Sequence, residues 1–329
     1  MKIVAPISSI SELEMLLHFG ADELYCGIRT PEWEKSFGQG MWINRRSPQI
    51  ANILSWNDLN TITEKAHEKD AQVHIAMNAS FYPGSGMGLV LNLCKTLVEE
   101  IHIDSLIVSD LNLLMELSVE KLPVKIHLSS LGSCFNSESV AFYQSLGVKR
   151  IILPRQLSVS DIDRLIKRSD PAMEFEVFAL NDGCFFEEGY CQTSHALGAF
   201  CLTEWDIEAR YSKKRRLSES ELNTNQKKYR EYLWFQNNCG SSFQQDGLPN
   251  GPCSLCWFGR FRDWGVTAVK IVGREASFVR KLGSIQLVKA VMEMVRGNAS
   301  SEEIAAYARQ IRNTPAYCES GYMCYFKDC

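Results

Sequence analysis

Short apolar runs alternate with amphipathic stretches from the second residue onward. "KIVAP" precedes the helical "SELEMLLHFG", and "DELYCGI" precedes a long loop and "WNDLNTITEKAHEKD". The alternation continues with "QVHIAMN" and "GLVLNLCKTLVEEIH", "DSLIVSD" and "LNLLMELSVEK", "VKIHLSS" and "SESVAFYQSLG", then "KRIILPR" and "SVSDIDRLIKRS". "EFEVFAL" is the seventh strand-type run and "VTAVKIVG" the eighth, followed by "SFVRKLGSIQLVKAVMEMVRG". The strand-type runs are nearly continuous in apolar residues, the pattern of parallel strands covered on both faces. The helical stretches space their apolar residues by three and four. Several begin at a side chain able to accept from free backbone N–H groups, Asn136 and Ser158 among them. Eight strand–helix units in series close most economically into a (β/α)8 TIM-type barrel. An open doubly wound sheet is the alternative, but no glycine-rich phosphate fingerprint follows the first strand.

One unit breaks the rhythm. Between strand seven, ending near Leu180, and strand eight, starting near Val266, lie about 85 residues, far beyond an ordinary connection of ~2–6 residues. The spacing therefore divides the chain into barrel units over 1–180, a cysteine-rich insertion over 181–265, the last barrel unit over 266–300 and a tail over 301–329. Any helix of the seventh unit must come from within the insertion. In such a barrel the loops after the strands build the active-site face, so the insertion belongs over the barrel mouth.

Composition narrows the function. The 329 residues are 45% hydrophobic and 22% charged, enough to bury a substantial core. A net charge of −4 argues against a strongly basic nucleic-acid binder, so RNA is a partner that charge does not favour. No apolar stretch reaches the ~18 residues of a membrane helix. "MKIVAPISSISELEMLLHFG" lacks a signal-peptide pattern. The expectation is a cytoplasmic protein.

In a reducing cytoplasm clustered cysteines point to metal or catalysis rather than disulfides. Of twelve cysteines, Cys26, Cys94 and Cys134 lie in or beside apolar segments and read as buried, inert thiols. The other nine fall between Cys184 and Cys329, six of them in the insertion: Cys184, Cys191, Cys201, Cys239, Cys253 and Cys256. "CSLC" is a zinc-type pair, but the remaining spacings form no second knuckle. Spacing alone leaves zinc and an iron–sulfur cluster both open. Cys191 and His195 have the spacing of one helix face, yet nucleophile–base pairs usually meet through the fold. No HExxH or GxSxG is present to support another hydrolase mechanism.

"GADELYCGI", "VHIAMN", "FYQSLGVKRIILPRQLS", "GCFFEEGYC" and "WGVTAVKIVGR", in that order, resemble the U32 family, whose members were long labelled peptidases. The resemblance runs from about residue 1 to 290 and implies an iron–sulfur protein of oxygen-independent hydroxylation. Its substrate would be an RNA base, a quinone precursor or another small molecule, with prephenate as hydroxyl donor. It implies a 4Fe-4S cluster on Cys184, Cys191, Cys201 and Cys253, with Cys256 and Cys239 as alternates. Zinc is the alternative metal, and a U32-type peptidase or a non-catalytic metal-stabilised scaffold the alternative function. The size resembles the short ubiquinone-type pair, which implies a homologous partner subunit. RNA-acting members often carry "SGRC" before the second cysteine, where this chain has "EEGYC". Cys318, Cys324 and Cys329 of the tail have no family match.

Strand ends supply the other candidates, since function concentrates there: Asn78, Asp110, His127, Ser129, Arg155, Lys270 and Arg274. Arg155 and Arg274 could hold carboxylates bidentately, or pair with a barrel-end acid such as Glu23. His127 reads as a hydrogen-bonded core histidine before a catalytic one. Lys213 to Arg216, "KKRR", reads as a solvated loop before an RNA contact.

Overall fold

The computed structural model describes residues 1–38, 41–46, 48–181, 216–238, 242–243, 249–250, 252–321 and 324–326. Its strands are β1 (Lys2–Pro6), β2 (Glu23–Cys26), β3 (Gln72–Met77), β4 (Ser105–Val108), β5 (Lys125–Leu128), β6 (Val148–Ile152) and β7 (Glu174–Leu180). Two short strands, β8 (Ser242–Phe243) and β9 (Pro249–Asn250), pair with each other, and β10 spans Ala268–Ile271. All strands but that short pair close into a parallel barrel in the order β1-β10-β7-β6-β5-β4-β3-β2. The protein is a (β/α)8 barrel, as the alternating pattern predicts.

The helices are α1 (Leu13–His18), α2 (Pro31–Phe37), α3 (Trp56–His67), α4 (Met87–Glu99), α5 (Leu111–Glu120), α6 (Ser137–Ser145), α7 (Val159–Lys167), α8 (Glu219–Asn238), α9 (Phe258–Trp264), α10 (Phe278–Arg296), α11 (Ser301–Arg312) and α12 (Pro315–Glu319). The expected caps form: Asn136 Oδ1 accepts from Ser139 N at 2.9 Å and Ser158 Oγ from Asp161 N at 3.0 Å. Each satisfies a backbone donor that the first helical turn leaves open.

Two expectations change in the structure, and the helix expected within the insertion is found. The loop after β2 contains α2, which starts at Pro31, a residue preset for the first helical position. The stretch "FGRFRDW" is α9, which closes on Gly265 in the left-handed conformation and packs against α7, α10 and α11; it serves as the helix of the seventh unit. Residues 301–321, expected as a tail, form α11 and α12, and α11 packs on α9 and α10.

The strands are also less apolar than their runs suggested. Successive side chains of a strand face opposite sides, and the outward set, such as Val73, Ile75, Phe175, Val177, Val269 and Ile271, is buried beneath the helices. The inward set is polar. Buried Glu23, His74, Ser105, His127, Arg150, Glu176 and Lys270 bond to one another across the barrel. Arg150 donates to Glu23 Oε1 at 3.0 Å, to Glu176 Oε2 at 3.2 Å and to Glu174 Oε2 at 2.8 Å. Lys270 Nζ reaches Glu176 Oε1 at 2.7 Å and sits 3.9 Å from the Tyr25 ring centroid. Burial pushes the Glu23 carboxyl up, but the bonds from His74 and Arg150 outweigh it and hold the group well below the usual carboxylate range.

Candidate functional site

Three chain segments meet at the carboxyl end of β7. Asn181, in the left-handed region at φ 69°, ends the strand by donating its N–H to Pro252 O at 2.9 Å. Ser254 N returns a bond to Ala179 O at 3.0 Å, and Ser254 Oγ donates to Phe178 O at 2.6 Å. Cys253 thereby pairs antiparallel with Leu180 on one side and parallel with Cys324 on the other. The Asn181 side chain locks the corner, donating to Ser284 Oγ at 2.9 Å and accepting from Arg280 at 3.2 Å. Cys184 follows Asn181 by three residues.

Cys253 is buried, and that burial pushes its thiol pKa up. The Arg312 guanidinium works against the shift, and the nearby thiols of Cys324 and Cys318 add to it. A thiol in such a place stays protonated and inert unless a metal displaces the proton. Cys256 is half-buried in the turn Leu255–Trp257. Cys318 is half-buried on α12, with Thr314 Oγ1 3.7 Å from its sulfur. Cys26, Cys94 and Cys134 are buried within the fold, and burial pushes each to about 12. That agrees with inert packing. Cys184, Cys191, Cys201, Cys239 and Cys329 lie outside the described residues, as do His195 and Lys213 to Arg215. Among the described residues no three His, Cys, Asp or Glu side chains stand close enough to hold a metal by themselves.

The strand-end candidates divide sharply. Asp110 caps α5, accepting from Leu113 N at 2.7 Å and from Tyr82 N at 3.2 Å. Ser129 accepts from Asn78 Nδ2 at 3.3 Å. His127 and Lys270 belong to the polar barrel interior, where burial and then the His74 and Arg150 charges hold His127 well below the ordinary histidine value. Arg155 is buried with its guanidinium 4.4 Å from the Phe178 ring centroid. Glu23 takes neither strand-end arginine; its guanidinium partner is Arg150.

Arg274 lies in a different setting. It is buried and donates to Asn52 Oδ1 at 3.2 Å and Asn44 Oδ1 at 3.0 Å. Both partners are neutral amides, and burial pulls its pKa down to about 10. The cluster requires a glycine at 27, since a Cβ there would stand 2.2 Å from Asn52 Oδ1 and 2.6 Å from Arg274 Nη1. Beside Asn52 opens a cavity of about 400 Å³, walled by Arg29, Trp33, Trp42, Arg46 and Glu275. Asn44, Asn52 and Gly27 escaped the sequence reading; only the position of Gly27 directly after a strand hinted at them.

The geometry defines a (β/α)8-barrel protein with thiols gathered where its seventh strand opens at the mouth. The chain belongs to peptidase family U32, whose family model matches residues 8–329. It is 26% identical over 194 residues to a tRNA hydroxylation protein P of Escherichia coli, across 59% of this chain and 39% of that protein. It is 25% identical over 186 residues to the 23S rRNA 5-hydroxycytidine C2501 synthase of E. coli, across 56% of this chain and 24% of that protein. The solved U32 peptidase Mk0906 aligns at 14% identity and a TM-score of 0.46, over 83% of this chain and 94% of that one. The chain thus matches well under half the length of these two hydroxylation relatives. Among the described residues no helix is long and apolar enough to cross a membrane.

Proposed function

We propose that this chain is an iron–sulfur member of the U32 family that takes part in oxygen-independent hydroxylation, with a base in RNA as the substrate class. The observation that carries the reading is buried Cys253 paired to the end of β7, four residues before Cys184, in a chain several of whose relatives are named for tRNA or rRNA hydroxylation. Four residues of chain reach at most about 14 Å. The donor set fits the group, because thiolates select zinc or iron–sulfur clusters over hard cations. Cys184, Cys191, Cys201 and Cys253 are the proposed ligands of a 4Fe-4S cluster, with Cys256 and Cys239 as alternates. When bound, such a cluster would supply one-electron chemistry that side chains lack.

The chain's own residues position and shield. Phe178 packs near Tyr325, while Trp257 and Phe261 pack near Phe326, so aromatic rings flank Cys253 on the tail side. Such an apolar setting excludes water and tunes a buried centre. Arg274 is the better strand-end site for a carboxylate, as on a prephenate-type hydroxyl donor. Its charge faces neutral amides in contact rather than an acid. The reading entails a reducing, cytoplasmic setting in which thiols stay available to metal.

Two measurements test the two halves. RNA from source cells grown without oxygen, with and without the gene, is digested to nucleosides and compared by mass spectrometry. The reading requires loss of a nucleoside one oxygen heavier than its parent, and identical profiles sink RNA as the substrate class. Protein purified under nitrogen should carry about four irons with broad absorbance near ~400 nm, the charge-transfer region of thiolate-bound iron. Stoichiometric zinc without iron sinks the cluster.

A further inference from the structure

Residues 324–326 return to the barrel mouth. Tyr325 N donates to Cys253 O at 3.2 Å, and the Tyr325 hydroxyl donates to Asn181 O. Phe326 meets Trp257 and Phe261 edge-on, with ring centroids 6.3 and 5.8 Å apart. On the other side of the bridge, Cys324 N donates to Gly321 O at 3.2 Å. Cys324 is therefore fixed from both sides, in parallel register with Cys253. Registered residues of a parallel pair point their side chains to the same face, about 4.8 Å apart. Nothing in the local sequence asks for this contact; α11 and α12 carry the chain back to make it.

Two thiols side by side have two chemical uses. They can close a disulfide, giving two electrons and two protons to an oxidant, or they can share a metal centre. The first needs an oxidant that a reducing compartment withholds. The second needs only the soft metal centre already assigned to Cys253. We infer that Cys324 is a thiolate ligand, beside Cys253, of the metal centre at the barrel mouth. The inference rests on the iron–sulfur reading and extends it to a segment outside the family's cysteine pattern. A four-iron cluster takes four thiolates, so with Cys253 and Cys324 in place two of Cys184, Cys191 and Cys201 complete the set and the third gives way.

Cys318 is held on α12, with Thr314 Oγ1 3.7 Å from its sulfur, outside the register that pairs Cys324 with Cys253. It serves as the control.

The test is metal content of the full chain reconstituted with ferrous iron and sulfide under nitrogen. Cys324→Ala should lower bound iron roughly threefold or more and bleach the ~400 nm band. Cys318→Ala should retain both. Unfolding of the metal-free forms is measured alongside, and matching transitions show that Cys324→Ala has lost a ligand and not its fold. Cys324→Ser, which keeps the shape and offers an oxygen donor, should retain part of the iron with a shifted spectrum. Full iron in Cys324→Ala beside a loaded unmodified chain overturns the inference and leaves the cluster standing. So does a Cys253–Cys324 disulfide found by mass spectrometry in loaded protein. If the unmodified chain takes zinc and not iron, the cluster reading fails, and the zinc count of Cys324→Ala then decides the ligand in the same way. An unmodified chain that binds neither metal overturns both.

Discussion

The barrel interior and the carboxyl end of β7 are built on opposite electrostatic plans. Inside, Glu23, Glu174 and Glu176 meet Arg150, Lys270, Lys2 and His74, so every acid has a cation in contact. At the mouth, a buried arginine leans on two amides and a buried thiol has another thiol beside it. A closed circuit of charges holds a fold together and leaves nothing for a ligand. Groups whose partners are neutral or alike keep chemistry in reserve, and in this barrel architecture the mouth is where such reserve is used.

The largest effect expected separates the two cysteines of "CSLC". Cys253→Ala should abolish iron binding, because Cys253 is buried and paired with the end of β7, whereas Cys256→Ala in the adjoining turn should keep most of it. Iron per chain after anaerobic reconstitution is the measurement. Loss in Cys256→Ala with retention in Cys253→Ala would reverse the roles of the pair.

The interior plan is tested by Arg150→Ala. It leaves Glu23 and Glu176 buried without the cation that links them, and breaking a buried pair from one side costs about 3–5 kcal/mol. Denaturant unfolding should show that loss. A cost under about 1 kcal/mol would mean the network is hydrated and not closed.

Gly27→Ala tests the mouth. The added Cβ must displace Asn52 or Arg274, at roughly 1–3 kcal/mol for an overpacked site. Near-wild-type stability with unchanged side-chain positions in a crystal structure of the variant would show the cradle to be loose.

Much of the fold was legible because each unit carries its own local signal. "EFEVFAL" is β7 residue for residue, and the caps at Asn136 and Ser158 formed as read. The polar interior was present in the sequence as a period of two. Glu174 and Glu176 flank Phe175, and Lys270 follows Val269, but the apolar neighbours dominated the pattern. The return of the C-terminal segment was not legible, since Cys324 meets Cys253 through the packing of α11 on α9 and no periodicity encodes such a contact. Of the proposed ligands in the insertion, only Cys253 can be compared with the structure; Cys184, Cys191 and Cys201 lie outside the described residues.

The smallest effect concerns His127, an interior residue whose charge, like that of Lys270, is disfavoured by burial. Burial first, then the positive fields of His74 and Arg150, hold it well below the ordinary value of 6.5 in the folded chain. The unfolded chain binds this proton near pH 6.5 and the folded chain does not, so folding stability rises with pH across that window. The contribution is full above about pH 6.5 and erodes as the pH falls below it. Between pH 7 and 6 the erosion from one histidine is under about 1 kcal/mol. His127→Gln removes the titrating group and keeps a polar side chain near Ser105, its partner at 3.2 Å. Denaturant midpoints measured at pH 7 and pH 6 should therefore differ less in the variant than in the unmodified protein, whatever the substitution does to absolute stability. An equal or larger difference in the variant would mean that His127 is protonated in the folded barrel. The interior would then hold a cation more than its acids balance, and the contrast with the mouth would weaken.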